Sequence, residues 1–389
     1  GTITLIVTAL GATDYSVGST SQSIFIGKTT PVLLITSANI VSLFTTLSAT
    51  VTTTALNGGG AITFSIVAGS GSATVNPTTG LITPVSLGTV TLMAASAGDT
   101  NYGAATTSQL ITVVSNTPTL TITLPGTLAV NSAVTASVST TAGVGGGAIS
   151  FTITAGSGSA TVNPTTGVVT GISVGTVTLT VTSAGSTNYN SVSVSQLITI
   201  IKGTPTLSIT SANTVRVNAS LTATVSTTAI GGGGLITFSI AAGSGSATVN
   251  ANTGLVTGIS VGTVTLTATA AGDTNYNVAS VAQLITIAKA TPTLIITSAN
   301  TLRVDNSLTA TVTTTATLGR GGLITYSIVA GSGSATVNAS TGVIVGTRVG
   351  TVTLTATAVG DTNYNLATVS QLITITATTP TLTIISANT

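Results

Sequence analysis

The chain has 389 residues, of which 42% are hydrophobic and 3% charged, with a formal net charge of +2 and neither Cys nor His. An ordinary domain carries about 25% charged residues. Because the chain also lacks Glu, the groups needed for general acid–base catalysis, metal-dependent hydrolysis and a Ser-His dyad are missing. Its seven basic residues are scattered, so no nucleic-acid footprint is visible. We therefore expect no enzyme, no catalytic residues, no cofactor or metal site, and no nucleic-acid partner.

One unit recurs along the chain with a period of 87 or 88 residues. The Thr-Pro pair that opens each copy has its proline at Pro31, Pro118, Pro205, Pro292 and Pro380. A loop tyrosine recurs at the same period, at Tyr15, Tyr102, Tyr189, Tyr276 and Tyr364. A repeat of this kind is typical of arrays whose units stack along one direction. The period predicts four repeats, at 31–117, 118–204, 205–291 and 292–379, with the C-terminal part of a truncated repeat at 1–30 and the first strand of another at 380–389.

Within the repeat at 205–291, seven segments have the pattern of β-strands. In chain order they are TLSITSAN (206–213), LTATVSTT (221–228), LITFSIAAG (235–243), ATVN (247–250), GLVTGIS (254–260), TVTLTATAA (263–271) and ASVAQLITIAK (279–289). Several alternate apolar and polar residues, and Gly, Asn and Pro separate them, whereas no segment has a helical period. Seven short strands at roughly ten-residue spacing predict an all-β fold, a tandem array of β-sandwiches.

Glycine runs lie between the second and third predicted strands. They include Gly143–Gly147, Gly231–Gly234 and the stretch TLGRGG that ends at Gly322, where the 88-residue repeat takes its additional residue. A phosphate-binding loop would be followed by a helix and would end in Lys-Ser or Lys-Thr. Neither feature is present, so the runs predict hairpin turns at the surface.

Three groups of polar residues are candidates for chemistry. The loop GDTNY, with Asp99, Asp273 and Asp361 but Ser186 in the other copy, is either a weak ion or sugar site or a side-chain-capped turn whose tyrosine covers the sandwich edge. Lys28, Lys202 and Lys289 precede the linker proline by three residues and are either solvated or partners of an isopeptide cross-link to Asn. The two sequons, at Asn218 and Asn338, occupy unrelated positions in their repeats.

The stretch SGSATVNANTGLVTGISVGTVTLTATAAGDTNY (244–276) resembles the bacterial immunoglobulin-like repeats of invasin- and intimin-type surface proteins, whose cassette ATV…G-LVTG…GT occurs here at Ala73, Ala160, Ala247 and Ala335. The resemblance covers the second half of each repeat and implies seven-stranded immunoglobulin-like sandwiches placed outside the cell. Two departures are evident. The third strand carries Phe or Tyr, at Phe64, Phe151, Phe238 and Tyr326, instead of Trp. The linkers carry no acid, so calcium stiffening is not expected.

Three functions fit these observations. The first is a structural component of an extracellular filament or sheath, built from repeats that associate with themselves and with other surface components. The second is a rod-like stalk of a bacterial surface adhesin. The third is direct binding of glycan or host protein by the repeats, which would need exposed aromatic clusters. A surface with so little charge has little repulsion to keep molecules apart, which favours the first. No apolar run is long enough to span a membrane, and Gly1 suggests a processed or truncated chain.

Overall fold

The computed structural model describes residues 1–56, 59–317 and 321–385. Within these ranges the secondary structure consists of short β-strands and turns, without an α-helix. In the same ranges no helix is long and apolar enough to cross a membrane. The predicted all-β fold, a tandem series of sandwich-like sheets, is confirmed.

Residues 2–25 form an antiparallel hairpin. Its strands are β1 (Thr2–Ala9) and β2 (Gly18–Phe25), paired from Thr2 opposite Phe25 to Ala9 opposite Gly18. Every residue of both strands is exposed. The hairpin corresponds in sequence to the last two strands of a repeat.

Each predicted repeat contains nine strand segments at corresponding positions. In the first they are β3 (Leu33–Ile35), β4 (Ile40–Ser42), β5 (Leu47–Ser48), β6 (Val51–Thr53), β7 (Ile62–Ala68), β8 (Ser72–Val75), β9 (Leu81–Ser86), β10 (Gly88–Ser96) and β11 (Ala105–Val114). In the second they are β12 (Leu120–Thr123), β13 (Thr127–Ala129), β14 (Ala133–Thr135), β15 (Ser137–Thr140), β16 (Ile149–Ala155), β17 (Ser159–Val162), β18 (Val168–Ser173), β19 (Gly175–Ser183) and β20 (Val192–Ile201).

The third and fourth repeats follow the same plan. The third has β21 (Leu207–Ile209), β22 (Thr214–Arg216), β23 (Ser220–Thr222), β24 (Val225–Thr227), β25 (Ile236–Ala242), β26 (Ser246–Val249), β27 (Leu255–Ser260), β28 (Gly262–Ala270) and β29 (Ala279–Ala288). The fourth has β30 (Leu294–Ile296), β31 (Thr301–Arg303), β32 (Ser307–Thr309), β33 (Val312–Thr314), β34 (Ile324–Ala330), β35 (Ser334–Val337), β36 (Val343–Arg348), β37 (Gly350–Ala358) and β38 (Ala367–Thr376).

The strands of the third repeat form three small sheets. One has four strands in the order β22-β29-β28-β25, one has three in the order β23-β27-β26, and the last pairs β21 with β24. The short strand β22 runs parallel to β29, whereas the other neighbours in the larger sheet are antiparallel. The first, second and fourth repeats have the same orders.

Each repeat has nine strands instead of the predicted seven. One predicted strand is divided between two sheets, and one short strand lies outside the predicted segments. The predicted second strand, 221–228, is divided between β23, which pairs with β27, and β24, which pairs with β21. The additional strand β22 follows the predicted first strand and pairs with β29. Alternation of apolar and polar residues continues through 221–228, so the pattern alone does not reveal the change of sheet there.

The glycine run of the third repeat is not a hairpin turn, contrary to the prediction. It joins β24 to β25, which belong to different sheets, and all four residues from Gly231 to Gly234 have positive φ. A Cβ at Gly234 would collide with the backbone of Gly272. The run therefore crosses between sheets at a place where two backbones approach closely. In the fourth repeat, residues 318–320 of the corresponding stretch lie outside the described residues.

The core lies between the sheets of each repeat. Along β28 every second side chain, at Val264, Leu266, Ala268 and Ala270, is completely buried, and the intervening threonines are half-buried. Val256 of β27 meets this face from the three-stranded sheet. Burial of a valine or leucine side chain contributes roughly 1.5–3 kcal/mol, so the alternation seen in the sequence stabilises this core.

The chain divides into two compact units. The first comprises Gly1–Leu128 and Ser132–Ile200, and the second comprises Ala129–Asn131 and Ile201–Thr389. The first thus holds the hairpin and most of the first two repeats, and the second holds the third and fourth. Residues 380–385, predicted to begin a further strand, form no strand. In each repeat this strand pairs with a later segment of the same repeat, as β21 does with β24.

Candidate functional site

The described residues contain no group of three or more His, Cys, Asp or Glu side chains that could hold a metal ion. The polar side chains that the sequence analysis selected instead meet at one recurring place, where the linker that precedes each repeat meets the tyrosine loop of that repeat. We call this place the joint. It consists of the linker, the GDTNY-type loop and the segment before the glycine run.

The aspartate of the loop caps a tight turn. Asp273 Oδ1 accepts hydrogen bonds from the backbone N–H groups of Asn275 and Tyr276, at 2.7 and 2.8 Å, and the Asp273 N–H donates to the Tyr276 carbonyl. Asp99 and Asp361 make the same bonds. The geometry is that of the side-chain-capped turn, because the carboxylate oxygen is directed at its own loop.

In the second repeat Ser186 occupies this place. Its N–H still donates to the Tyr189 carbonyl, at 2.8 Å. The backbone turn is therefore formed without a carboxylate, and the negative charge is not needed to close the loop.

The Asp361 carboxylate has one further partner. Its Oδ2 accepts from the Gly321 N–H at 2.7 Å, beside the glycine-rich connection of the fourth repeat. This bond, with those from Asn363 and Tyr364 and the nearby Lys289 ammonium, lowers the pKa of Asp361 below its ordinary value of 3.8. The charged form of Asp361 therefore holds the loop against the connection.

The tyrosine ring turns inward, where its hydroxyl accepts a backbone hydrogen bond from the segment before the glycine run. The donors are the N–H groups of Leu56, Gly143, Ile230 and Thr317, for Tyr102, Tyr189, Tyr276 and Tyr364 respectively. Tyr364 is 2% exposed, whereas Tyr15 of the hairpin is 80% exposed. The ring is therefore a structural anchor of a complete repeat, consistent with the predicted capped turn.

The linker adds to the tyrosine loop as a short parallel β-bridge. The bridges pair Thr29 with Tyr102, Asn116 with Tyr189, Gly203 with Tyr276 and Ala290 with Tyr364. At the last of these, the Ala290 N–H donates to Asn363 and its carbonyl accepts from Asn365, at 3.0 and 2.8 Å. The linker backbone is thus hydrogen-bonded to the repeat that it enters, which restricts its freedom.

Two linker lysines take part in the joint. Lys202 Nζ donates to the Asp273 carbonyl and Lys289 Nζ to the Asp361 carbonyl, both at 2.6 Å. At the corresponding place Ser115 Oγ donates to the Thr187 carbonyl at 3.1 Å. The lysines are therefore neither simply solvated nor paired with an asparagine side chain. They are replaceable donors to a loop carbonyl.

A residue with left-handed backbone geometry provides a contact across the joint. Phe44, Asn131, Asn218 and Asp305 occupy corresponding positions and have φ between 59° and 67°. Asn218 Nδ2 donates to the hydroxyl of Tyr364 in the following repeat, at 2.6 Å. In the first unit Phe44 instead stacks on Tyr189 of the following repeat, with ring centroids 5.3 Å apart and 24° between the ring planes. At Phe44 and at Asn218 this position therefore contacts the tyrosine of the following repeat.

In the second unit the joint is also part of a hydrophobic core. Tyr364 and Ala316 of the fourth repeat belong to the same buried cluster as Val215 and Val217 of the third. The Val261 N–H donates to Asn363 Oδ1 at 2.9 Å. Apolar packing and hydrogen bonds thus both connect these two repeats.

The left-handed position was not predicted from the sequence. The pattern that indicates it is the recurrence of Asn, Asn and Asp at 131, 218 and 305, because these residues tolerate positive φ better than other non-glycine residues. Phe44 obscured the pattern, because a bulky residue is an outlier there. Its stacking on Tyr189 is the compensating contact in this structure.

No protein-family model matches this chain, and no curated protein matches it either. Among solved structures it is similar to immunoglobulin domains 1–5 of Sidekick-1, with 12% identity, 87% of this chain and 78% of that chain covered, and a TM-score of 0.25. It is similar to the D1–D4 ectodomain fragment of ICAM-5, with 10% identity, coverage of 89% and 99%, and a TM-score of 0.28.

It is also similar to domains 4–9 of the surface layer protein SbsC, with 14% identity, 88% of this chain covered and a TM-score of 0.20; the chain spans 65% of that structure. At such TM-scores we base the fold on the strand pairing described above and draw no functional conclusion from these neighbours. Because no family model matches, the invasin/intimin type remains a prediction.

Proposed function

We propose that this chain is a structural component of an extracellular filament or sheath, in which copies of the chain associate laterally through their repeats. The observation that carries the proposal is an uncharged sheet face that recurs in every repeat and exposes one leucine. Placement outside the cell is part of the proposal and rests on the resemblance of the repeat.

The uncharged face is the outer side of the four-stranded sheet. In the third repeat it presents alternate threonines along β28, from Thr263 to Thr269, and Leu284 beside them on β29. The corresponding leucines, Leu110, Leu197, Leu284 and Leu372, are 58–61% exposed. Their recurrence at one place on each repeat forms a series of apolar points among hydroxyl groups, without charges to oppose contact between molecules.

The charged residues in the described part of the chain lie elsewhere. The lysines are in the linkers. Asp99, Asp273 and Asp361 are in the tyrosine loops, and Asp14 is in the hairpin loop. Arg216 and Arg303 stand at the ends of the short strands β22 and β31. Charge is thus concentrated near the joints and strand ends, and the two central strands of each four-stranded sheet carry none.

The joint supports this function because a structural array must transmit force and orientation from one repeat to the next. In each unit a side chain of one repeat contacts the tyrosine of the following repeat, and the linker is hydrogen-bonded to the loop.

A second candidate, the stalk of a bacterial surface adhesin, is supported equally by the joint and needs no lateral contact. Direct glycan or host binding ranks third, because three of the four loop tyrosines of the repeats, Tyr189, Tyr276 and Tyr364, are buried.

Electron microscopy and sedimentation velocity of the purified chain over a range of concentrations test the proposal. We expect laterally associated filaments or sheets and a sedimentation coefficient that rises with concentration. A variant with the four substitutions Leu110→Ser, Leu197→Ser, Leu284→Ser and Leu372→Ser should associate more weakly, because it removes the exposed leucines. The hairpin carries Ser23 at the corresponding place, so a strand accommodates serine there. Chains that remain single at every concentration would contradict the filament and favour the stalk.

A further inference from the structure

Each four-stranded sheet ends in a strand that has a neighbour on one side only. These edge strands are β7, β16, β25 and β34, and each pairs with the strand beside it over its full seven residues. Their sequences are ITFSIVA, ISFTITA, ITFSIAA and ITYSIVA. All four are uncharged, lack proline and are rich in residues that favour strands.

The backbone on the free side of an edge strand is only partly used. The Phe238 N–H donates to the carbonyl of Ala251 in a neighbouring loop, at 2.9 Å. Because hydrogen-bonding direction alternates along a strand, this bond shows that Ile236, Phe238, Ile240 and Ala242 direct their backbone groups away from β28. Among the described residues no other hydrogen bond joins this side of the strand to a neighbouring segment. The backbone N–H and C=O groups of Ile240 and Ala242 are therefore available to a further strand. Phe64, Phe151 and Tyr326 donate in the same way in the other repeats.

Soluble proteins usually protect such an edge with a charge, a proline or a bulge. The pairing of β25 with β28 is continuous, without a bulge. The edge strand β26 of the three-stranded sheet has a bulge between Ser246 and Ala247. At the opposite edge of the four-stranded sheet, β22 is three residues long and ends in Arg216. Such protection is therefore present at β22 and at β26 and missing at β25.

We propose that β7, β16, β25 and β34 are the sites at which a second copy of this chain adds its own edge strand. The two strands run antiparallel about a two-fold axis and join two four-stranded sheets into one of eight strands. This inference rests on the proposed function and adds the sheet edge to the leucine-bearing outer face as a contact between the copies.

The strand is suited to pairing with itself. When the two-fold axis passes through Ala241, Ile240 of each copy lies opposite Ala242 of the other, and the free N–H and C=O groups of both residues are satisfied. The corresponding central residues of the other repeats are Val67, Thr154 and Val329, and the two valines are 54% and 66% exposed. The same residues thus meet their own counterparts, as a two-fold interface requires.

One such contact involves few residues, because the Phe238 N–H already donates to the Ala251 carbonyl. The same edge strand occurs in all four repeats, so each repeat offers one such contact. The uncharged surface adds no repulsion between the approaching sheets.

The test replaces Val67, Thr154, Ala241 and Val329 together with Lys in the full chain. Like charges directly opposite one another oppose pairing. We expect the concentration at half-association, from sedimentation velocity, to rise about tenfold or more. The matched control places Lys at Ser108, Ser195, Ala282 and Ser370, exposed positions of the same outer face that belong to β11, β20, β29 and β38 and not to the proposed pairing strands. Both variants add the same charge, and circular dichroism checks that both are folded.

Hydrogen exchange of wild-type chain provides a second readout. Association should slow exchange in peptides that contain β7, β16, β25 and β34, more than in peptides from β11, β20, β29 and β38. If wild type associates but the two lysine variants weaken it equally, or if protection appears on the last strands instead, the edge proposal is wrong and the filament function stands. If wild type does not associate at all, both proposals are wrong.

Discussion

Replacement of Tyr364 by Phe should weaken the joint between the third and fourth repeats. The hydroxyl accepts a hydrogen bond from Asn218 Nδ2 at 2.6 Å across the joint, and one from the Thr317 N–H at 3.4 Å within the fourth repeat. The ring itself stays in the core, because Phe fills almost the same volume. The substitution therefore isolates the hydrogen bonds from the apolar packing.

The magnitude follows from the burial of the groups involved. Tyr364 is 2% exposed, so removal of its hydroxyl leaves the Asn218 amide without this partner at a partly buried place. Asn218 is itself exposed, so water can replace the lost partner, and a hydrogen bond of this kind contributes about 1 kcal/mol. We expect a loss of about 1 kcal/mol, and a coupling of about 1 kcal/mol between Tyr364→Phe and Asn218→Gly. Glycine suits the φ of 61° at this position and removes only the side chain.

Native-state hydrogen exchange in peptides from β37 measures this free energy locally, which is preferable because an array need not unfold in one step. Tyr15→Phe is the control, since that ring is 80% exposed in the hairpin and its hydroxyl should contribute nothing measurable. If the effects of Tyr364→Phe and Asn218→Gly add to within about 0.3 kcal/mol, the two side chains are not coupled and the described joint is wrong.

Three further outcomes are expected. Gly262→Ala should destabilise the third repeat by about 1–3 kcal/mol in urea unfolding, because φ is 136° and a Cβ would strike the backbone of Gly245, whereas Gly126→Ala, with open space around it, should be neutral. Ser211→Ala should leave the free energy of unfolding unchanged or raise it by about 1 kcal/mol, because the buried Ser211 hydroxyl has no hydrogen-bond partner among the described residues and Leu124 stands there in the second repeat; a clear loss would contradict this. Asp361 has a lowered pKa when folded, so its stabilising effect is complete above the ordinary value of 3.8 and is lost as the pH falls through the lowered pKa. Hydrogen exchange near Gly321 should therefore increase in that acidic range, and Asp361→Asn should abolish the dependence.

Most of the strands could be predicted from the sequence, because alternation of apolar and polar residues reports directly which side chains are buried. The segment TVTLTATAA became β28 with the expected alternation. The division of 221–228 between β23 and β24 could not be predicted, because both segments keep the same alternation while they pair with different partners. The glycine run was misassigned for the same reason, since local turn chemistry does not show whether two strands share a sheet.

The candidate site was predicted only in part. The loop of Asp273 and Tyr276 was identified, and one of its two interpretations, the capped turn, agrees with the structure. Its role in the joint was not predicted, because the contact between Asn218 and Tyr364 joins residues 146 positions apart. Contacts at such separation depend on how one repeat is placed against the next, and no local pattern encodes that placement.

The sequence by itself determined the repeat, the β-structure and the scarcity of charge, since these depend on composition and on periods of two and of 87 residues. The tertiary structure decided which of those features act together. It buried the tyrosine at the joint, with the left-handed residue of the preceding repeat against it in each unit. It also left one side of an uncharged strand in each four-stranded sheet without a paired strand among the described residues. The physical reason is that hydrogen-bonding partners and sheet edges are properties of the folded arrangement, whereas burial on one face of a strand is already written in the order of its residues.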